Sequence, residues 1–251
     1  MTDATFLAAL MQDYNQPFSG WDFGYLADRR VEEPCPWDYA ALARDALTHA
    51  TVAVDLATGG GERLLALRDV FPARMAATEG YRPNYDLARA RLSPYGVTVV
   101  EANDSLSAPL PFEDAAFDLV LDRHGSFNGA EVARVLRSAG TLLTQQVDGR
   151  PTDLHAAFNA PAAWPSYTLE FQVGLLRDVP LVVEEAREWT GEVRFTDVGA
   201  LVYYLKAVPW IVPGFNVPTH LSYLERLRRR LESDGVLLFH QTLMLIRARK
   251  Q

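Results

Sequence analysis

The sequence is poor in cysteine, with Cys35 as the only one among 251 residues. A lone cysteine excludes an intramolecular disulfide, and the histidines show no metal-ligand spacing with it or with one another. We therefore expect no metal site and a reducing, cytoplasmic setting, and we interpret Cys35 as a structural residue. The same interpretation applies to His49, His155, His220 and His240.

Basic residues are also scarce relative to acidic ones. The chain has 24 Lys and Arg against 32 Asp and Glu, which gives a net charge of −8. Such a balance repels phosphate backbones unless a local basic patch overrides it. The one basic run, Arg-Leu-Arg-Arg-Arg at 226–230, is typical of a solvated helix face. The composition therefore disfavours nucleic acid as a partner.

Long apolar runs are absent as well. No uncharged stretch approaches the roughly 18 residues that a membrane span needs, and the N-terminus lacks the basic start and apolar run of a secretory signal. The sequence predicts a soluble protein that stays in the cytoplasm, where it is made. It leaves the oligomeric state open.

What the chain does contain from residue 51 onwards is an alternation of short β-branched segments with helical patterns. The predicted strands cover 51–57, 75–79, 97–102, 117–122, 141–147, 181–188 and 236–247. Strands that alternate with helices at this spacing are typical of βαβ units. We predict an α/β, doubly wound, Rossmann-like fold. Its mainly parallel sheet would have seven strands, with helices on both faces and the last strand antiparallel at the edge.

Two segments stand outside this alternation. Residues 1–38 are rich in aromatic residues and turn formers and predict an irregular N-terminal arm. Residues 148–180 predict an insertion on the substrate side. Because no linker or internal repeat separates these parts, we interpret residues 1–251 as a single domain.

The strongest functional signal is the glycine-rich turn Thr58-Gly-Gly-Gly between the first predicted strand and the helix after it. Backbone without a Cβ can approach a ligand closely, and a helix N-terminus offers unpaired N–H groups. A tight connection that binds nothing is the alternative for such a turn taken alone. A nicotinamide dinucleotide site would need a third glycine where Leu64 stands, so the spacing disfavours that cofactor.

Further motifs follow the glycine turn in a fixed order. Glu79 ends the second predicted strand, Asn103 and Asp104 follow the third, and Leu110-Pro-Phe leads towards the fourth. The segment Glu-Val-Ala-Arg-Val-Leu-Arg-Ser-Ala-Gly at 131–140 precedes the fifth. In this order the motifs between residues 51 and 147 resemble the class I S-adenosylmethionine-dependent methyltransferases.

The resemblance implies S-adenosyl-L-methionine as the cofactor. Asp55, Gly59 and Gly61 would frame its methionine part, and Ala57 stands where the family most often has its first glycine. Glu79 would bind the ribose hydroxyls. The remaining residues would form the adenine pocket, with Asp104 at the amino group and Tyr81, Asn103, Ser105 and Leu106 around the ring.

The implied activity is methyl transfer, and the acidic charge balance predicts a small-molecule acceptor. His124 follows the fourth predicted strand and is the candidate general base, because imidazole titrates near neutral pH. A hydrogen bond to a loop carbonyl is its alternative role. Two alternatives to the function stay open: a cofactor-binding module without catalysis, and an RNA methyltransferase.

Aromatic residues of the arm have two interpretations. Trp21, Phe23 and Tyr25, together with the loop 210–215, could form a lid over a substrate pocket or simply cover the sheet.

Overall fold

The computed structural model describes residues 3–103 and 105–251. Within these ranges eight strands form one mixed sheet. The strands are β1 (Arg30–Glu32), β2 (Val52–Leu56), β3 (Arg74–Glu79), β4 (Val97–Glu101), β5 (Phe117–Arg123), β6 (Leu136–Val147), β7 (Leu181–Phe195) and β8 (Leu237–Lys250). Their order across the sheet is β1-β7-β8-β6-β5-β2-β3-β4.

The parallel half of the sheet contains β2 to β6. Strand β2 is apolar and almost wholly buried, and it pairs in parallel with β3 on one side and β5 on the other. Strand β4 continues the sheet beyond β3, and β6 continues it beyond β5. The strand order therefore reverses between β2 and β5, and ligands of doubly wound folds bind at the carboxyl ends of strands at such a point.

The other half is antiparallel and corrects two details of the prediction. The α/β fold class is confirmed, but the sheet has eight strands because β1 forms within the predicted arm and pairs with β7. Strand β1 has only three residues, two of them charged, and so short a segment shows no strand pattern in the sequence. Strand β8 was expected at the edge, yet it lies between β6 and β7, because β7 is long enough to pair along its full length.

Nine α-helices cover the sheet and its ends within the described residues. They are α1 (Asp3–Tyr14), α2 (Tyr39–His49), α3 (Glu62–Leu65), α4 (Arg82–Leu92), α5 (Gly129–Val135), α6 (Asp153–Phe158), α7 (Leu169–Arg177), α8 (Val198–Ala207) and α9 (Val217–Asp234). Helix α1 contradicts the prediction of a wholly irregular arm. Its Phe6 and Leu10 are buried in a cluster with residues of α8 and α9, so tertiary packing orders this segment.

The buried apolar residues form three clusters. One packs α2, α3 and α4 against one face of the sheet, and a second packs α5 and α7 against the opposite face. The third joins α1, α8 and α9 to the antiparallel strands. Helices therefore lie on both faces, as predicted. Among residues 3–103 and 105–251, no helix combines the length and the apolar character needed to cross a membrane.

Candidate functional site

The glycine turn after β2 has a left-handed backbone at three positions. The φ angles are 48° at Ala57, 64° at Gly59 and 79° at Gly61. The backbone N–H of Ala57 donates to Thr78 Oγ1 at 3.2 Å, which fixes the turn to the end of β3. A positive φ costs an alanine about 1 kcal/mol more than a glycine. This cost explains why glycine would suit the position of Ala57 better.

The two glycines of this turn make room for other parts of the chain. A Cβ on Gly59 would lie 2.2 Å from Cδ1 of Trp21, and a Cβ on Gly61 would lie 2.9 Å from the Leu92 side chain of α4. The indole of Trp21 therefore makes the close approach that the sequence predicts for a ligand. A bulky residue at Gly61 would collide with α4, so it would disturb folding as well as any binding.

Glu79 connects this turn to the end of β3. Its side chain is 7% exposed, and its Oε2 accepts a hydrogen bond from the backbone N–H of Gly59 at 2.7 Å. Its Oε1 accepts one from the N–H of Tyr81, also at 2.7 Å. Each carboxylate oxygen can accept two hydrogen bonds. The predicted ribose-binding acid thus lies beside the predicted methionine-binding turn.

The loop after β4 reaches the same place. A Cβ on Gly80 would lie 2.8 Å from the carbonyl oxygen of Ala102 and 3.3 Å from Cα of Asn103. Within this loop the Asn103 side-chain oxygen accepts a hydrogen bond from the N–H of Ser105 at 3.0 Å. The structure therefore brings Asn103 and Ser105 to the end of β3, next to Glu79.

Two large apolar side chains, one two residues after Glu79 and one in the loop after β4, are exposed. Tyr81 is 65% exposed and Leu106 is 41% exposed, which suits residues that pack on a flat aromatic ligand. Asp104, the predicted partner of the adenine amino group, lies outside the described residues.

Asp55 is the acidic residue of β2 closest to the turn. Burial raises its pKa to about 7, with Glu79 adding to the rise, while Thr58 and Arg123 oppose it. At neutral pH the carboxyl group is therefore about half protonated. A cationic group placed beside it would favour the ionised form.

The loop after β5 contacts the glycine turn across the point between β2 and β5 where the strand order reverses. Asp122 is fully buried, and it accepts hydrogen bonds from the N–H of Gly125 and from Gln146 Nε2, both at 3.1 Å. A Cβ on Gly125 would lie 2.6 Å from Cβ of Ala57. Loop 122–125 is thus fixed directly against the turn.

His124, the candidate base, lies in this loop with a φ of 65°. Its Nε2 is 3.0 Å from Gln145 Nε2, and Gln145 Oε1 accepts a hydrogen bond from the Trp37 indole N–H at 2.8 Å. Because the indole can only donate, Gln145 must turn its NH₂ group to His124. Nε2 of the imidazole then accepts, which places the ring proton on Nδ1.

The charge state of His124 follows from its surroundings. Desolvation, and then repulsion by Arg123 and Arg63, hold the pKa of the imidazole well below its usual value of 6.5. The side chain of His124 is exposed to solvent. At neutral pH His124 is uncharged, as a base must be, and its accepting lone pair is engaged by Gln145.

A row of three tryptophans runs from the glycine turn towards the segment 148–180. The ring centroids of Trp21 and Trp210 are 5.8 Å apart, and those of Trp210 and Trp164 are 6.3 Å apart. All three are at least 36% exposed. Phe23 stacks on Trp21 with ring centroids 6.1 Å apart, and both Phe23 and Tyr25 contact tyrosines of α8. Of the arm residues considered for a lid, Trp21 therefore lies at the site, and the other two cover α8.

A cavity of about 350 Å³ lies at the carboxyl end of β6. An ion-pair chain forms its polar wall, in which Arg150 contacts Asp148 at 2.8 Å and Glu188 at 2.9 Å. None of the predicted site residues lines this cavity. Among the residues that the structure describes, no group of three or more His, Cys, Asp or Glu is placed to hold a metal ion.

Comparisons with known proteins agree with this geometry. Residues 54–145 match the family model described as "Methyltransferase domain". The comparison with curated protein sequences gives no match.

Solved structures share the fold at low sequence identity. The YcgJ protein from Bacillus subtilis is 17% identical with a TM-score of 0.61, over 85% of this chain and 98% of that chain. Geranyl diphosphate C-methyltransferase from Streptomyces coelicolor, in complex with Mg²⁺, geranyl diphosphate and S-adenosyl-L-homocysteine, is 16% identical with a TM-score of 0.52, over 84% and 78%. The [4+2]-cyclase SpnF is 14% identical with a TM-score of 0.52, over 99% and 92%.

Proposed function

Because residues 54–145 form a methyltransferase domain of the class I S-adenosylmethionine-dependent family, we propose that the chain methylates a small-molecule acceptor. One observation carries this proposal. The nearly buried Glu79 is held between the glycine turn and the N–H of Tyr81, and the aromatic side chain of Tyr81 is exposed. A carboxylate next to a flat apolar surface is what ribose and adenine require.

The residues present fit the cofactor. Glu79 would accept hydrogen bonds from the ribose hydroxyls with its carboxylate oxygens. Tyr81 and Leu106 would pack on the adenine, with Asn103 and Ser105 at its edge. Asp55 would lie near the methionine ammonium group, whose charge favours the carboxylate form.

The sulfonium group of S-adenosylmethionine supplies an electrophilic methyl group. The chain therefore has to align an acceptor atom with it and exclude water. Loop 122–125 is in contact with the glycine turn and is positioned for this alignment. His124 is proposed to take the acceptor proton at Nε2, for which the hydrogen bond from Gln145 would have to break.

The shape and charge of the acceptor side support a small molecule. The tryptophan row provides an apolar wall, and we place the segment 148–180 of this proposed single domain on the same side. The geranyl diphosphate C-methyltransferase of similar fold acts on a small anionic lipid precursor, as its name states. The single cysteine supports a cytoplasmic location.

The basic run in α9 is largely engaged within the protein, which argues against RNA. Arg228 lies over the Phe6 ring at 4.7 Å, and Arg230 donates a hydrogen bond to the carbonyl of Leu238 at 2.7 Å. We therefore expect no tight binding of RNA or DNA in a filter assay at low salt. Tight, steeply salt-dependent binding that is lost on replacing Arg228, Arg229 and Arg230 would move the acceptor class to RNA.

The proposal is tested by incubating the protein with methyl-labelled S-adenosylmethionine and pools of small metabolites. We expect labelled product and an equivalent amount of S-adenosylhomocysteine with at least one pool. This readout is necessary because a cyclase shares the fold, so cofactor binding alone does not establish methyl transfer. Binding without any product would favour the non-catalytic module.

A further inference from the structure

Two arginines border the methyl-transfer cleft without an ion partner. Arg123 is the last residue of β5 and Arg63 is the second residue of α3, so both follow the carboxyl end of a strand at the point where the strand order reverses. Across residues 3–103 and 105–251, neither side chain makes a hydrogen bond or an ion pair within 4.0 Å. A guanidinium group forms its strongest hydrogen bonds with carboxylates and phosphates.

Three carboxylates of this region have other partners, and Asp55 has a pKa raised to about 7. Glu32 pairs with Arg30, and Glu62 pairs with Arg91 at 2.6 Å. Glu79 accepts hydrogen bonds from backbone amides, as described above. The positive charge of Arg63 and Arg123 therefore has little local compensation from these groups.

The two cations lie on the same face of the sheet, because Leu121, two residues before Arg123, and Leu64, next to Arg63, belong to one buried cluster. Burial, followed by repulsion from Arg63, lowers the pKa of Arg123 to about 10, although Tyr39, Glu32 and Asp55 oppose this. Arg123 still carries its charge at neutral pH. Both arginines also lower the pKa of His124, so the positive potential extends over the candidate base.

We infer that Arg63 and Arg123 form an anion site that takes the carboxylate or phosphate group of the methyl acceptor. The inference rests on the proposed function, because it places the acceptor beside the methyl donor. A guanidinium group binds either anion through two parallel hydrogen bonds, and a bound anion would relieve the repulsion between the arginines. With the tryptophan row as the apolar wall, the preferred acceptor is amphipathic, with one anionic end.

The carboxylate of the cofactor's methionine part is a second anion that the two arginines could bind. The experiment therefore has two arms. The first arm titrates S-adenosylhomocysteine and 5′-methylthioadenosine, which lacks the amino-acid part, into the parent protein and into R63Q, R123Q and R123K. The second arm titrates benzoate and inorganic phosphate into the same proteins, free and loaded with S-adenosylhomocysteine, at constant ionic strength. R74Q is the matched control, because Arg74 is exposed at the opposite end of the parallel strands.

We expect benzoate or phosphate to bind the parent and to lose about tenfold or more in affinity in R63Q and R123Q. R123K retains the charge and should keep part of the affinity, and R74Q should match the parent. The affinity for S-adenosylhomocysteine should stay within about threefold of the parent in every variant. Melting temperatures check that each variant is folded. If R123Q is not folded, R123K replaces it in the comparison.

Two results would overturn the inference. Equal probe affinity in parent, R63Q and R123Q, or no probe binding to the parent, would exclude an anion site. A tenfold loss for S-adenosylhomocysteine with no loss for methylthioadenosine would assign the pair to the cofactor instead of the acceptor. Failure of the parent to bind S-adenosylhomocysteine would refute the proposed function separately, since the probes are also titrated into the free protein.

Discussion

The cofactor side and the acceptor side of the cleft are built from different kinds of contact. On the cofactor side, backbone amides of the turn and of Tyr81 converge on one carboxylate, Glu79, and all participants lie within about one quarter of the chain. On the acceptor side, side chains from distant segments meet: Trp37 orients Gln145, which in turn holds His124. The first arrangement depends on a short ordered motif, and the second depends on the whole tertiary fold.

This difference has a functional consequence. A cofactor shared by many enzymes is bound by local backbone geometry that many sequences can reproduce. In the proposed function, acceptor selection would depend on side chains such as Trp21, Trp210, Arg63 and Arg123, which come from four separate places in the chain. The predictions that follow change one side at a time and ask whether the other side is affected.

The largest effect is expected for His124→Ala on the acceptor side. If His124 takes a proton from the acceptor, turnover should fall by about 10²–10⁴-fold, while the affinity for S-adenosylhomocysteine stays near that of the parent. The measurement is steady-state turnover with an acceptor from the metabolite screen, beside calorimetry with the cofactor product. A variant that keeps most of the rate would return His124 to a structural role, with alignment beside the sulfonium as the main source of catalysis.

A change of intermediate size is expected for Asp55→Asn on the cofactor side. The folded chain holds the Asp55 proton up to about pH 7, whereas the unfolded chain releases it near pH 3.8. The stability that this group contributes is therefore fully present below about pH 3.8 and is lost as the pH rises through about 7. Asparagine cannot ionise, so at pH 8 the variant should gain on the order of 2 kcal/mol in free energy of unfolding relative to the parent.

Urea denaturation at pH 5 and pH 8 measures this difference. Asp178→Asn is the control, because Asp178 is exposed, and we expect it to show no such pH dependence. An Asp55→Asn variant that differs from the parent by the same amount at both pH values would show that Asp55 does not titrate between them.

The smallest effect is expected for Trp21→Ala, which tests the boundary between the two sides. The indole lies against Gly59 in the position of a side chain, so the cofactor has to displace it from the turn. Aromatic contacts of about 0.5–1.5 kcal/mol oppose that displacement. Removing the ring should therefore strengthen binding of S-adenosylhomocysteine about 2–10-fold.

Trp164→Ala is the matched control, because Trp164 lies at the far end of the same row; its cofactor affinity should equal that of the parent. Calorimetry measures both variants, and the change in tryptophan fluorescence on titration should shrink only in Trp21→Ala. Weaker binding in Trp21→Ala would mean that the indole packs on the cofactor as a lid.

Sequence reasoning predicted the parallel half of the sheet because its signals are local, and the assignment of Glu79 and the glycine turn to the cofactor stays a prediction. The apolar strand β2, the glycine turn and Glu79 at the end of β3 are each recognisable within a few residues.

The features that the sequence did not predict depend on contacts between distant residues. Strand β1 has only three residues and is ordered by pairing with β7, more than a hundred residues away. The close approach of Trp21 to Gly59 depends on the path of the arm across the turn, and residue spacing carries no information about it. Whether Arg63 and Arg123 are paired depends on which partners the surrounding carboxylates have, and the sequence does not give those partners.

The central claim is that Glu79 and the glycine turn bind S-adenosylmethionine, and calorimetric titration of S-adenosylhomocysteine tests it most directly. The parent protein should bind, and Glu79→Ala should weaken binding about 100-fold, because the ribose hydroxyls lose a charged acceptor and the turn loses its anchor. Glu113→Ala, a change at an exposed glutamate, should bind as the parent does. No binding by the parent, or equal affinity in parent and Glu79→Ala, would contradict the account.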